Sequence, residues 1–166
     1  MINKYDKAIK KAAAQFLPGI DWRLLKAQLQ AESNLDPKAK SPAGAMGIAQ
    51  FMPKTWEEVA GKLNFHHDTT PYDAPAAIIA AAYYMSTLLK QWTAKREETD
   101  RYFLALASYN AGFGNILDAQ RYAGGVNDYF SIMQHLNSVT GNNAQETLDY
   151  IPRIYKTFGE YVMEGR

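Results

Sequence analysis

Glu32 is the acidic residue whose setting best suits acid–base chemistry. It ends a stretch in which Trp22, Leu25 and Leu29 recur at helical spacing, and it lies one turn beyond Gln28 and Leu29. Its carboxyl therefore belongs at the rim of an apolar core. Partial burial there raises a carboxylate pKa, which a general acid working near neutrality requires. Three further polar blocks interrupt the apolar pattern. One runs from Ser41-Pro42-Ala43-Gly44 to Gly47-Ile48-Ala49-Gln50-Phe51-Met52-Pro53. Another is Ala107-Ser108-Tyr109-Asn110-Ala111-Gly112, and the last is Glu146-Thr147, backed by Tyr150 and Ile151. A carboxyl, a hydroxyl and a few amides suit proton transfer onto a bound polar substrate. With no cysteine in the chain, thiol nucleophiles, thiolate metal sites and disulfides are excluded.

The elements that must hold these blocks are helices, because apolar residues recur at helical spacing along the chain and no long stretch alternates with period two. A first helix is expected from Asn3 to Leu17, stopped by Pro18-Gly19, and a second is capped by Asp21 and ends near Ser33. The run from Asn34 to Gly47, rich in Pro, Gly, Ser, Ala and Lys, reads as an irregular or hairpin-like surface excursion. Pro53 begins a third helix reaching Leu63, and Asn64 to Asp73 is a polar loop. Asp73-Ala74-Pro75 opens what reads as the longest helix, to about Lys95. A helix capped by Thr99 or Asp100 follows, ending at Ala111-Gly112. Two short helices are expected around Ile116 to Tyr122 and Asp128 to Leu136. A loop at Gly141-Asn142-Asn143 precedes a last helical segment that Pro152 either kinks or restarts.

Taken together the four blocks resemble the catalytic domain of the soluble lytic transglycosylases, over residues from about 20 to 155. Glu32-Ser33 followed eighteen positions later by Gln50, ahead of Phe51-Met52-Pro53, is the most specific part of the likeness. The resemblance implies a mainly α, single lysozyme-like domain over 1–166, with a small irregular or hairpin-like loop region after the catalytic helix. It also implies roles. Glu32 matches the catalytic acid/base. Ser41 and Gln50 match polar groups lining the sugar sites, and Met52 matches the apolar residue packed near the acid. Tyr109 and Asn110 match the Tyr-Asn pair whose tyrosine hydroxyl approaches the catalytic carboxyl, and Glu146 matches the acidic residue of the last motif. The chain departs from the pattern at Ala49, where Met or another larger apolar residue is common, and at Phe51, often Ile, Leu or Val.

The chemistry agrees with the resemblance. Glycosidases of either usual stereochemical type need two carboxyls flanking the scissile bond. In T4-type lysozymes, which share the wider fold, the second follows the acid by nine residues, an offset at which this chain has Ser41. Asp36, beside Pro37, reads as a turn residue. A lone acid still suffices if the substrate supplies its own nucleophile. Glu32 would protonate the leaving oxygen between N-acetylmuramic acid and N-acetylglucosamine. As carboxylate it would then take the proton of the muramyl C6 hydroxyl as that oxygen closes on C1. A 1,6-anhydromuramyl end results and no water is consumed. Two rivals are a hydrolytic muramidase on the same fold, with Asp68 or Asp73 assisting water, and a non-catalytic glycan-binding or assembly component of a phage or secretion machine.

Composition narrows the partners. Lys and Arg number 18 against 17 Asp and Glu, a net charge of +1 that implies no polyanion. Lys4, Lys7, Lys10 and Lys11 read as a solvated helix face rather than a nucleic-acid stripe. The expected partner is the peptidoglycan glycan strand, bound by a monomer, with no membrane insertion because no apolar run reaches the roughly 20 residues a span needs. No cofactor is expected. His66-His67-Asp68 reads as solvated loop, since adjacent histidines do not face one ion on a helix and no H-E-x-x-H pattern occurs. His135 reads as half-buried, and Tyr83, Tyr84 and Trp92 as core. The lysine-rich N-terminus lacks the apolar region of a secretory signal. Action in the periplasm or cell wall is then expected of a phage-encoded lysin, a virion-associated enzyme or a mature periplasmic domain.

Overall fold

A computed structural model of the chain describes residues 4–165. It is mainly helical: α1 (Asp6–Phe16), α2 (Trp22–Ser33), α3 (Pro53–Lys62), α4 (Ala74–Gln91), α5 (Glu98–Ala111), α6 (Phe113–Tyr122), α7 (Tyr129–Met133), α8 (Asn137–Thr140) and α9 (Ala144–Met163). Asn3, the expected start of the first helix, lies outside the described residues. Among those residues no helix is long and apolar enough to cross a membrane.

Two compact units divide the chain. The first holds residues up to Tyr84 and those from Ile154 onward, and it buries Ile9, Leu25, Leu29, Ile48 and Ile78. Here α1 packs on α2. The Asp6 carboxylate meets the Lys26 ammonium at 2.9 Å with both side chains almost fully buried, and Lys26 Nζ also lies 4.4 Å from the Tyr161 ring centre. A pair so enclosed repays its desolvation only by close geometry and further contacts, which the rings of Trp22 and Tyr161 supply. Lys4, Lys7, Lys10 and Lys11 are all exposed, as a solvated face requires.

Met85 to Arg153 forms the second unit, in which α5, α6 and α7 pack on one another. Trp92 is buried and its indole N–H donates to Ser108 Oγ at 3.1 Å, while that hydroxyl donates to Leu104 O at 2.7 Å. This contact, with the Arg96 guanidinium 5.0 Å over the Trp92 ring, occupies the segment expected to continue α4 to Lys95, and the helix ends at Gln91. Three other expectations are corrected. The N-cap of α5 is Glu97, not Thr99 or Asp100. Gly141–Asn143 is a 3-10 turn that runs straight into α9. The longest helix is α9, 20 residues against 18 for α4, and it carries the exposed Pro152 in its interior. A proline costs one backbone hydrogen bond, yet α9 runs through it; Tyr150 and Ile151 are buried in the second unit, and Ile154 and Tyr161 in the first.

Burial pushes the phenols of Tyr129 and Tyr155 up to about 12. A raised folded-state pKa favours the neutral phenol. Its contribution to stability is complete below the unfolded value near 10 and is lost as pH rises through the folded value. Melting temperature is therefore expected to fall between about pH 10 and pH 12. Tyr129→Phe and Tyr155→Phe should each flatten that fall, and an unchanged alkaline profile in both would contradict the assignment.

Candidate functional site

Glu32 sits in the last turn of α2, half-buried, as its spacing from Leu25 and Leu29 requires. The helix is fixed at both ends. Asp21 caps it by accepting from the Arg23 backbone N–H at 2.9 Å. The Arg23 guanidinium, 2.7 Å from the same carboxylate, holds Asp21 below its ordinary pKa. At the other end Asn34 takes the left-handed conformation that terminates helices, and Leu35 follows in the same region, φ 59°. A branched apolar side chain is unusual there, and burial of Leu35 offsets the strain. Asp36 accepts from the Lys38 backbone N–H at 2.9 Å, the turn role expected of it.

The excursion after α2 is hairpin-like, as expected. Lys40 bridges to Met46 and Met46 to Phe51, both antiparallel. Ser41 closes its tip: the hydroxyl accepts from the Ala45 N–H at 2.9 Å, and the Ser41 N–H donates to Ala45 O at 2.9 Å. Gln50, in the left-handed region at φ 52°, donates its amide to Gly47 O at 2.9 Å and to Ala39 O at 3.3 Å. Both side chains are half-buried. Met52 is 44% exposed at the N-cap of α3. Ser33, not singled out from sequence beyond its place beside Glu32, ties the acid's helix to this loop by donating to Ile48 O at 2.7 Å. Gly47 lets the loop seat against Pro71: a Cβ at this position would stand 1.9 Å from Pro71 O.

In the second unit the third and fourth blocks meet. Thr147 Oγ1 donates to Asn110 Oδ1 at 2.7 Å, and Asn110 Nδ2 donates to Glu146 Oε1 at 3.4 Å. The last turn of α5 is thereby joined to the first turn of α9, where the exposed Glu146 stands. Thr147 is buried, and its role in orienting Asn110 was visible in sequence only as adjacency to Glu146. Tyr109, half-buried, precedes Asn110 on α5.

Asp68 and Asp73, the acids considered for assisting water, both lie in the loop between α3 and α4. Asp73 accepts from the Thr70 backbone N–H at 2.7 Å. Asp68 lies 3.1 Å from His67 Nε2 and 3.5 Å from His66 Nδ1. Because these residues lie in a loop rather than on a helix, adjacent histidines do converge, with the three ligand atoms within 4.8 Å of one another. All three are exposed. His135 is half-buried and Trp92 buried, as read, while Tyr83 and Tyr84 are half-buried and pack on Phe16 and Phe51 respectively.

Residues 7–132 match the family described as the transglycosylase SLT domain. Similar proteins include membrane-bound lytic murein transglycosylase F 1 of Alkalilimnicola ehrlichii, 36% identical over 137 residues, which cover 80% of this chain and 26% of that protein. Membrane-bound lytic murein transglycosylase F of Shewanella pealeana is 31% identical over 172 aligned positions, 93% of this chain and 34% of that protein. The chain thus spans about a quarter to a third of the relatives it matches. Among solved structures, the 70 kDa soluble lytic transglycosylase SLT70 of Escherichia coli superposes with a TM-score of 0.74 at 20% identity, over 95% of this chain and 24% of that one. That likeness is one of fold, and it agrees with the helical, lysozyme-like architecture. With the family pattern matching residues 7–132 of this chain and a 36%-identical relative aligned over 80% of it, the chain belongs to the transglycosylase SLT domain family.

Proposed function

We propose that residues 1–166 work as one catalytic domain, a peptidoglycan lytic transglycosylase that cuts the β-1,4 bond between N-acetylmuramic acid and N-acetylglucosamine. The observation that carries this reading is a half-buried Glu32 in the last turn of a helix held at its start by Asp21 and at its end by Ser33, with Ser41 at the sequence offset where a second carboxylate would otherwise stand. Glu32 acts first as acid and then as base, so one carboxyl serves both halves of the reaction. Ser41, Gln50, Met52, Tyr109, Asn110 and Glu146 are assigned to substrate contact. The loop bonds of Ser41 and Gln50 and the Asn110–Thr147 bond restrict these groups in advance, which lowers the ordering cost of binding a sugar. The substrate places the reaction in the periplasm or cell wall.

Treating fresh digests with borohydride tests the reading. Ends formed by C6 attack lack a free reducing carbon and stay unreduced, whereas water attack gives reducible muramic acid at every cut. Predominantly reducible ends would replace this function with a hydrolytic muramidase. Binding without any cut would leave the glycan-binding component.

Catalysis in this scheme needs no metal, since the acid supplies the proton and the sugar supplies the nucleophile. Activity is expected to survive exhaustive EDTA treatment. Loss of cleavage on chelation, restored by zinc or magnesium, would bring His66, His67 and Asp68 into the mechanism.

A further inference from the structure

Gln28 is fully buried in the middle of α2, and among the described residues neither polar atom of its amide has a hydrogen-bond partner. Leaving a buried amide unpaired costs stability, and such groups need a reason. Its neighbours on the helix do not share the problem. Arg23 binds Asp21, Lys26 binds Asp6, Gln30 accepts from the Tyr161 hydroxyl at 3.2 Å, and Ser33 binds Ile48 O. Leu25, Gln28, Leu29 and Glu32 share one face of α2, and an apolar side chain in place of Gln28 would bury no unpaired polar group there.

The polar group one turn ahead on this stripe is Glu32. Helical side chains lean toward the N-terminus, a direction that carries a side chain at Glu32 toward the turn that holds Gln28. We propose that Gln28 is a positioning residue for Glu32: its amide is kept unpaired so that its N–H can take one carboxylate oxygen after Glu32 has protonated the leaving oxygen. The carboxylate is then steadied for the proton it must accept from the C6 hydroxyl. The stability given up at Gln28 is retained for the second half of the reaction. This inference rests on the transglycosylase reading of Glu32.

The test replaces Gln28 by leucine and, separately, by the unbranched methionine, with turnover measured on soluble uncrosslinked glycan strands. Both variants are expected to melt no lower than the parent, to keep KM, and to lose between about ten- and a hundredfold in kcat, the scale of a misplaced catalytic group. An unchanged kcat in a folded variant would overturn the proposal, as would an effect confined to KM. Failure of both variants to fold would overturn it too, because the amide would then be structural. Glu32→Gln in the same assay separates the two layers. An active Glu32→Gln removes the underlying function, whereas an inactive one beside a fully active Gln28→Leu removes only the role of Gln28.

Discussion

Glu32→Gln is expected to fold normally and to lose cleavage by roughly 10² to 10⁴, the usual contribution of a positioned general acid. The substitution is nearly isosteric and sits in the last turn of α2, half-buried, where an amide keeps hydrogen-bonding capacity while losing the proton it must deliver and later reclaim. The helix end is held by Ser33 on Ile48 O and by the left-handed Asn34, neither of which involves the carboxyl. Helical content and melting temperature should therefore stay at the parent's level. A folded variant clearing peptidoglycan at more than about a tenth of the parental rate would remove Glu32 from the catalytic role, since a general acid is worth more than that.

The second large effect is expected at Gly47. Its φ of +76° is in the region that favours glycine, and an added Cβ would meet Pro71 O at 1.9 Å and Pro71 C at 2.7 Å. Those are backbone atoms of the neighbouring loop and cannot rotate aside. Gly47→Ala must displace the 39–51 loop, and with it Gln50, whose amide is anchored on Gly47 O. Backbone strain of this kind costs of order 1–3 kcal/mol, a fall in melting temperature on the order of 5 °C for a chain of this size. Activity should drop further than stability alone explains. Gly44 provides the control, because its φ is +97° yet a Cβ there meets nothing within 4 Å. Gly44→Ala should show the strain without the clash. Equal melting temperatures and activities for the two variants would contradict the steric role of Gly47.

Helices were legible because burial imposes a period on neighbouring residues, as Leu25, Leu29 and Glu32 illustrate. The cap at Asp21 and the hairpin-like loop were legible because turn chemistry is local. What sequence could not supply were contacts between residues far apart. Lys26 would ordinarily be solvated, and only the packing of α1 on α2 brings Asp6 to it. Thr147 orients Asn110 from 37 residues away, and Trp92 leaves α4 to reach Ser108, 16 residues on. Local propensity disfavours Pro152 inside a helix and predicts a kink or a restart there. The helix nevertheless runs unbroken from Ala144 to Met163. Convergence of His66 and His67 was missed for a related reason, since the helix geometry that separates adjacent side chains does not apply in the loop where they lie. In the candidate site the residue types were readable but their anchoring was not: nothing in the sequence states that Gln50 would be tied to Gly47 and Ala39.

The central claim is that the sugar's own C6 hydroxyl, not water, completes the cut begun by Glu32. Digestion of purified peptidoglycan in water enriched in oxygen-18, followed by mass analysis of the newly formed muramyl ends, addresses it directly. The account predicts ends one water lighter than muramic acid and free of the label, with such ends absent when Glu32→Gln is used. Fresh ends carrying oxygen-18 at C1 and the full mass of a reducing sugar would contradict it.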